Sequence, residues 1–346
     1  VAEQHEYATA VDDYLTRAYD GDRRRALLDH GGWDPGLAAE AADLGWYALA
    51  VPEDRGGLGA SLSDLGAVFE QYGRHLVIGP QLENSLLPAL VEGVEADGKG
   101  VPAALVDPGA GDGSGDLGTV ALTGERLTGS VGAVRFAAQA DRFVVLAGEA
   151  VCLVDAVAPG VHVEALDSAD PATAFARVEL DAVVPDRVLT GDGRVPALSA
   201  WARLLLACEL SGLARGALER TVEHVGQREQ FGRPIGSFQA VQHIAADMHA
   251  RSTGLHNLCL AAVADAAGAS PAELDLLAWT AKAHAAEAAV AVCEDAIQLH
   301  GGMGFTTESD VSWYYRRALA LRGWYGDEVE LRQRVGAALL DGGRRT

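Results

Sequence analysis

The chain has 346 residues, too many for one compact core, and Lys+Arg 27 against Asp+Glu 49 gives a formal charge of 27 − 49 = −22. Acids and bases are interspersed, and so negative a surface repels phosphate backbones and anionic lipid, so neither nucleic acid nor membrane is an expected partner. No run of about 18 uncharged apolar residues predicts a membrane span, and residues 1–25 carry acids throughout with no apolar signal core. Cys152, Cys208, Cys259 and Cys293 lie in apolar runs without CxxC or Cys/His spacing. Four buried, reduced thiols and a cytoplasmic location are the expectation.

Residues 1 to about 96 read as helices with short breaks. Leu44, Trp46, Leu49 and Val51 lead into the Pro/Gly-rich turn VPEDRGGLGAS. Ser61 caps a helix carrying Leu62, Leu65, Val68, Phe69 and Tyr72 at helical spacing. A further helix is predicted from Glu83 to Glu95, stopping at Gly98–Gly100. From about 101 to 187 the runs become short, Val-rich and bounded by Gly, Asp and Pro. In AFARVEL, Ala174, Ala176, Val178 and Leu180 alternate with Phe175, Arg177 and Glu179, the pattern of a half-buried strand. A small antiparallel barrel or sandwich follows from that spacing. Beyond the linker-like Thr190–Arg194, helical periodicity returns. One stripe runs through Leu198, Trp201, Leu205, Cys208, Leu218, Val222 and Val225, another through Val241, Ile244, Met248, Leu255, Leu258 and Val263. Ser270-Pro271-Ala272-Glu273 opens a helix running to about Leu299, and two more fit 307–322 and 328–341. The fold class is therefore mainly α with a central β domain, divided as 1–98, 99–190 and 191–346.

Two segments carry chemistry. In REQFGRPIGSFQ (Arg228–Gln239), Arg228 at the end of a long helix offers a directed guanidinium fork suited to a pyrophosphate. Phe231 adds an aromatic plate, Gly232 a tight turn, and Pro234 a helix stop. In QLHGGMGF (Gln298–Phe305), Gln298 can hydrogen-bond a nucleotide, and Gly301-Gly302 let backbone N–H groups come close. Taken alone, the first is an ordinary helix C-cap and the second a helix terminator with His300 as a cap or core histidine. The glycine-rich Gly109–Gly118 reads as a loop, since no long helix follows and Asp112 and Asp116 stand where phosphate would sit. His224, His243 and His249 show no metal-ligand pairing.

Together these segments, in a chain of helices, then strands, then helices, resemble the acyl-CoA dehydrogenase family. LGWYALAVPEDRGGLGAS (Leu44–Ser61) and LTGSVGAVRFAAQADRFVVLA (Leu127–Ala147) are similar to its other segments, the latter lying where the family has its flavin-facing strand pair. The resemblance implies an N-terminal helical domain, a β domain and a C-terminal four-helix bundle, with FAD as cofactor. It places Arg228, Gln230, Phe231, Ile235 and Phe238 on one clamp segment for the ADP half of FAD, and Gln298, Gly301 and Gly302 on the other. In the family that FAD is held mainly by the neighbouring subunit.

The sequence departs from the family pattern at the catalytic centre. The reaction needs a carboxylate to take the α-proton. Tyr325 stands at the usual Glu position and Ala202 at the alternative one. A neutral phenol, of pKa about 10, is a poor base. Val106 replaces the hydroxyl residue of the flavin loop, here Val106–Asp116, and Val134-Arg135-Phe136 replaces Ile-Thr-Asn, which should crowd the ring. The pattern resembles the base-lacking chain of the heteromeric acyl-CoA dehydrogenases of actinobacteria. It implies no catalytic residue here and a second, different subunit (an α2β2 complex) that binds most of the acyl-CoA, with a steroid side-chain thioester as substrate. CoA is itself an anion, so basic residues must be local to the pocket or supplied by the partner. The alternatives are an active homomeric enzyme using Glu209, Asp327 or Glu328, and a flavin-free interaction scaffold.

Overall fold

A computed structural model describes residues 4–29, 35–96, 103–108, 118–168, 170, 172–191 and 194–342. The expected glycine stop at Gly98–Gly100 lies outside them, as do the glycine-rich loop except Gly118 and the linker residues 192–193. Among the described residues, five α-helices come first: α1 (Gln4–Ala18), α2 (Gly21–Asp29), α3 (Pro35–Asp43), α4 (Leu62–Arg74) and α5 (Gln81–Leu90). Eight strands follow: β1 (Ala104–Val106), β2 (Gly118–Thr123), β3 (Arg126–Arg135), β4 (Arg142–Ala147), β5 (Ala150–Asp155), β6 (Val161–Leu166), β7 (Phe175–Val183) and β8 (Arg187–Leu189). The C-terminal part contains α6 (Arg194–Gln227), the small strands β9 (Glu229–Gln230) and β10 (Arg233–Pro234), α7 (Gln239–Ala266), α8 (Pro271–His300), α9 (Asp310–Gly323) and α10 (Glu328–Gly342).

Local chemistry sets the helix starts. The Ser61 side chain accepts from the Asp64 N–H while Asp64 accepts from the Ser61 N–H, and Ser270 and Glu273 make the same reciprocal cap with Pro271 at the first helical position. The Glu83–Glu95 expectation is corrected at both ends. The helix already begins at Gln81, and Val91 leaves it with an extended backbone, three residues after the internal Pro88.

The strands form two four-stranded sheets, β1-β4-β5-β8 and β2-β3-β7-β6. All pairs are antiparallel except β1–β4, which is parallel and so departs from the all-antiparallel expectation. Phe143, Val145, Cys152, Val178 and Leu180 fill the space between the sheets. On the other face of β4 and β5, Val144, Leu146, Val151 and Leu153 join the helical core. That sheet is buried on both sides, which is why RFVVLA shows no alternation while β7 does. All four cysteines are free and buried.

α6 is the central helix. Its segment Val195–Gln227 is long and apolar enough to cross a membrane, but 89% of its most apolar window is buried inside the protein. It crosses α4 almost backbone to backbone. A Cβ on Gly212 would sit 1.9 Å from the Glu70 carbonyl oxygen, and one on Gly73 1.9 Å from that of Glu209. Both obstacles are main chain and cannot rotate away. Gly212→Ala should therefore destabilise the protein by about 3 kcal/mol, the upper end for overpacking, read as a lower urea midpoint with the slope unchanged.

Candidate functional site

The expected clamp residues gather at one end of the helical part. α6 stops at Gln227, well before Pro234, because the chain turns into a tight hairpin and not because proline breaks the helix. In that hairpin Gln230 pairs with Arg233 and Glu229 with Pro234, and Phe231 and Gly232 form the two-residue loop. Both loop residues have positive φ, +53° and +79°, as a turn matching strand twist requires. Glycine adopts this freely; Phe231 does so against its Cβ. The result is a phenylalanine held 92% exposed, edge-on to Phe238 with ring centroids 6.1 Å apart, with the Arg233 guanidinium over the Phe238 ring at 4.0 Å. Ile235 is half-buried against the main core and anchors the loop. The exposed Arg228 side chain has no partner among the described residues.

The second segment leaves the end of α8. Gln298 is exposed on its last turn, and Gly301 caps the helix at φ +61°. A Cβ on Gly301 or Gly302 would meet nothing within 4 Å, so this backbone is bare toward solvent, beside the 75% exposed Phe305. The two segments meet where His224 of α6 stacks on His300, ring centroids 4.1 Å apart and planes 18° from parallel. A guanidinium without an ion pair among the described residues, an unobstructed glycine backbone and exposed aromatic rings fit the ADP half of a dinucleotide.

The strand pair resembling the family's flavin-facing one presents a different surface. A cleft of about 440 Å³ between the β domain and α9 is lined by Ala133, Asp167, Ser168, Phe175, Arg316 and Trp324. The Trp324 indole is already stacked on Phe175, centroids 5.0 Å apart and 14° between planes. Behind it, buried Arg135 lies 5.3 Å from the indole centroid and 3.2 Å from Glu83, too poorly aligned for a hydrogen bond. Asp170 also borders the cleft. The wall of this cleft thus carries a stacked aromatic pair, Asp167 and the donors Ser168 and Arg316, while Asp170 is paired with Arg317.

The carboxylates named from sequence are committed elsewhere. Glu209 accepts from Arg317 at 3.0 and 2.7 Å in full burial. Asp327 caps α10 by accepting from the Val329 and Glu330 N–H groups. Glu328 pairs with Arg322, whose hydrogen bonds hold its carboxyl below the usual range. Ala202 is buried. Tyr325 is buried at φ +58°, and burial pushes its hydroxyl pKa well above the ordinary value. Sequence reading missed Glu83, a buried carboxylate whose pKa is raised by desolvation and which lies close enough to Tyr325 to act on it electrostatically. Its neighbours in sequence, Leu82 and Leu86, gave it the look of a plain helix acid; only folding brings α5 and Arg135 together.

The turn bearing Tyr325 is held by two buried cations. Arg203 donates to the Tyr325 carbonyl at 2.8 Å, and Lys282 to the carbonyls of Arg322 and Gly326 at 3.0 and 3.3 Å.

Models of the acyl-CoA dehydrogenase N-terminal and C-terminal domains match residues 2–92 and 197–340. The acyl-CoA dehydrogenase IpdE2 of Mycobacterium tuberculosis is 32% identical over 308 residues, 85% of this chain and 84% of that protein. The chain belongs to the acyl-CoA dehydrogenase family, whose members bind FAD. Similar solved structures include the Tcur3481–Tcur3483 steroid ACAD (29% identical, TM-score 0.87, covering 99% of both chains) and the ChsE4–ChsE5 complex of Mycobacterium tuberculosis (29%, 0.87, 97% of both). Against the acyl-CoA dehydrogenase FadE34 of Mycobacterium tuberculosis, at 35% identity, this chain spans only 43% of the relative's length.

Burial lowers the Lys282 pKa from 10.5 to about 7. Between those values the unfolded chain holds a proton that the folded one does not, so stability should rise with pH from about 7 to 10 and flatten below 7. The full span corresponds to about 5 kcal/mol at about 1.4 kcal/mol per unit. Lys282→Met should abolish most of that rise, measured by urea unfolding at pH 7 and 9.5.

Proposed function

We propose that this chain is the clamp-donating, base-lacking subunit of a heteromeric FAD-dependent acyl-CoA dehydrogenase. A second, different subunit supplies the flavin-ring pocket, the catalytic Glu and most of the acyl-CoA site. The observation that carries this reading is the contrast between two faces of one chain. The clamp face is open, with Arg228 unpaired among the described residues and Gly301-Gly302 bare. On the ring face Trp324 is stacked on Phe175 along the cleft wall, and Tyr325 stands at the base position. The heteromeric complexes among the similar structures support the pairing, and the steroid enzyme among them supports a CoA thioester of a steroid side chain as substrate. A cytoplasmic location goes with that substrate and with the reduced thiols.

In such a complex Arg228 would hold the pyrophosphate, Phe231, Phe238 and Ile235 would flank the nucleotide, Gln230 and Gln298 would hydrogen-bond it, and Gly301 and Gly302 would let the backbone come close. The FAD supplies the hydride acceptor for α,β-dehydrogenation. This chain's part is to bind and orient the cofactor, not to move the proton. A scaffold without cofactor has no use for an uncovered guanidinium beside bare glycines.

One observation favours a second reading. Glu83 is a buried carboxylate with raised pKa near Tyr325, so an active chain would use it before Glu209, Asp327 or Glu328.

Expressed alone, the chain should purify without flavin; co-expressed with its partner it should give a yellow complex with one FAD per pair of chains. One FAD per subunit in the chain alone would refute the split arrangement. In the complex Arg228→Ala should weaken FAD retention about ten- to a hundred-fold, the loss of a charge-assisted contact of roughly 1.5–3 kcal/mol, and Arg228→Lys should restore only part of it. Glu209→Gln, Asp327→Asn, Glu328→Gln and Glu83→Gln should each leave single-turnover flavin bleaching by a CoA thioester within a few-fold. Removing a true base costs at least about a hundred-fold, so such a loss at Glu83 with FAD still bound would establish the second reading.

A further inference from the structure

The two clamp segments leave different helices, and something must set the gap between them. His224 sits in the last turn of α6, and its carbonyl accepts from the Arg228 N–H at 2.8 Å, which ties ring and clamp arginine to one helical turn. His300 is the last residue of α8, directly before Gly301, whose own N–H returns to the Gln298 carbonyl. The His300 Nδ1 lies 2.8 Å from the Ala296 carbonyl, which can only accept, so Nδ1 bears the proton and the neutral ring keeps Nε2 bare. The two rings stack 4.1 Å apart and nearly parallel.

We propose that His224 and His300 are positioning residues whose stack fixes the separation of the Arg228 and Gln298–Gly302 segments, and that it does so only while both rings are neutral. This rests on the clamp reading above. The charges facing His224 are the His300 ring and Arg228, and His300 faces the Ala296 carbonyl; among the described residues neither ring pairs with a carboxylate. Burial holds both pKa values below the ordinary 6.5, and for His224 the His300 ring and Arg228 add to the effect. At neutral pH the pair is uncharged and packs. Acidification puts two like charges face to face beside a third, and the segments are driven apart.

The test is FAD titration of the apo-complex at pH 7.5 and 5.5, alongside imidazole proton NMR of the complex. Wild type should lose about ten-fold or more in FAD affinity at pH 5.5. His224→Phe, which keeps an aromatic stack without a titrating group, should bind as wild type at pH 7.5 and lose most of the fall. His224→Ala should bind weakly at both, with an unchanged circular dichroism spectrum. Tighter wild-type binding at pH 5.5 would overturn the proposal, because a charged ring would then be touching the pyrophosphate. So would a His224→Ala variant that binds like wild type, or a His224→Phe variant with the full pH dependence. Failure of the clamp reading looks different: FAD affinity would be insensitive to Arg228→Ala at pH 7.5. The NMR titration separates the two, since a real stack requires both rings to titrate below 6.5 and the His300 titration to shift in His224→Phe.

Discussion

The guanidinium of Arg317 is the point on which the domain arrangement turns. It projects from α9 into a fully buried site, donates to Glu209 on α6, and reaches Asp170 and Thr173 on the segment between β6 and β7. The helical part and the β domain are therefore tied through one cation. Desolvating such a group is expensive, and only a near-complete set of acceptors offsets it. Here two carboxylates and a hydroxyl supply that set and push the Arg317 pKa above its already high ordinary value. Losing one member of a buried ionic group costs about 3–5 kcal/mol, which is why the geometry admits little freedom.

Two consequences reach the chemistry. Glu209, named from sequence as a candidate base, has one carboxylate oxygen committed to two hydrogen bonds from Arg317. The same anchoring brings β7 against the end of α9, where Phe175 meets Trp324 and Trp324 covers Arg135. The turn that follows is fixed from the other side by Arg203 and Lys282 through its carbonyls. The cleft wall around Trp324 is thus set by a continuous run of contacts from Arg317 to Tyr325, and not by one bulky residue. The Arg228 and Gln298 segments lie at the C-terminal ends of α6 and α8, outside that set, and carry the exposed Phe231 and Phe305.

The charge of −22 fits this division. An acidic surface does not attract a dinucleotide or a CoA ester at long range, so anion binding rests on single cations with directed geometry. Most arginines are already paired, as with Arg24–Asp310, Arg74–Asp12 and Arg251–Asp295. Arg228, directly before the β9–β10 hairpin, is among the exceptions.

Much of the architecture was legible in the chain itself. Apolar periodicity, capping boxes at Ser61 and Ser270, and the alternation in β7 depend on neighbours a few residues away, so the order of helices, strands and helices could be read directly. The segments around Arg228 and Gln298 could be singled out for the same reason, since each gathers its candidate residues into one local motif. Pairing at long range was not legible. The parallel β1–β4 contact and the Phe231-Gly232 hairpin in place of a proline stop reflect tertiary packing. The commitment of Glu209 to Arg317, 108 residues away, the burial of Glu83 against Arg135 and the stacking of His224 on His300 were decided only by folding. Each joins side chains whose sequence surroundings look ordinary. Local periodicity thus determined which elements form; which charges are spent on structure and which face solvent was decided by what those elements meet.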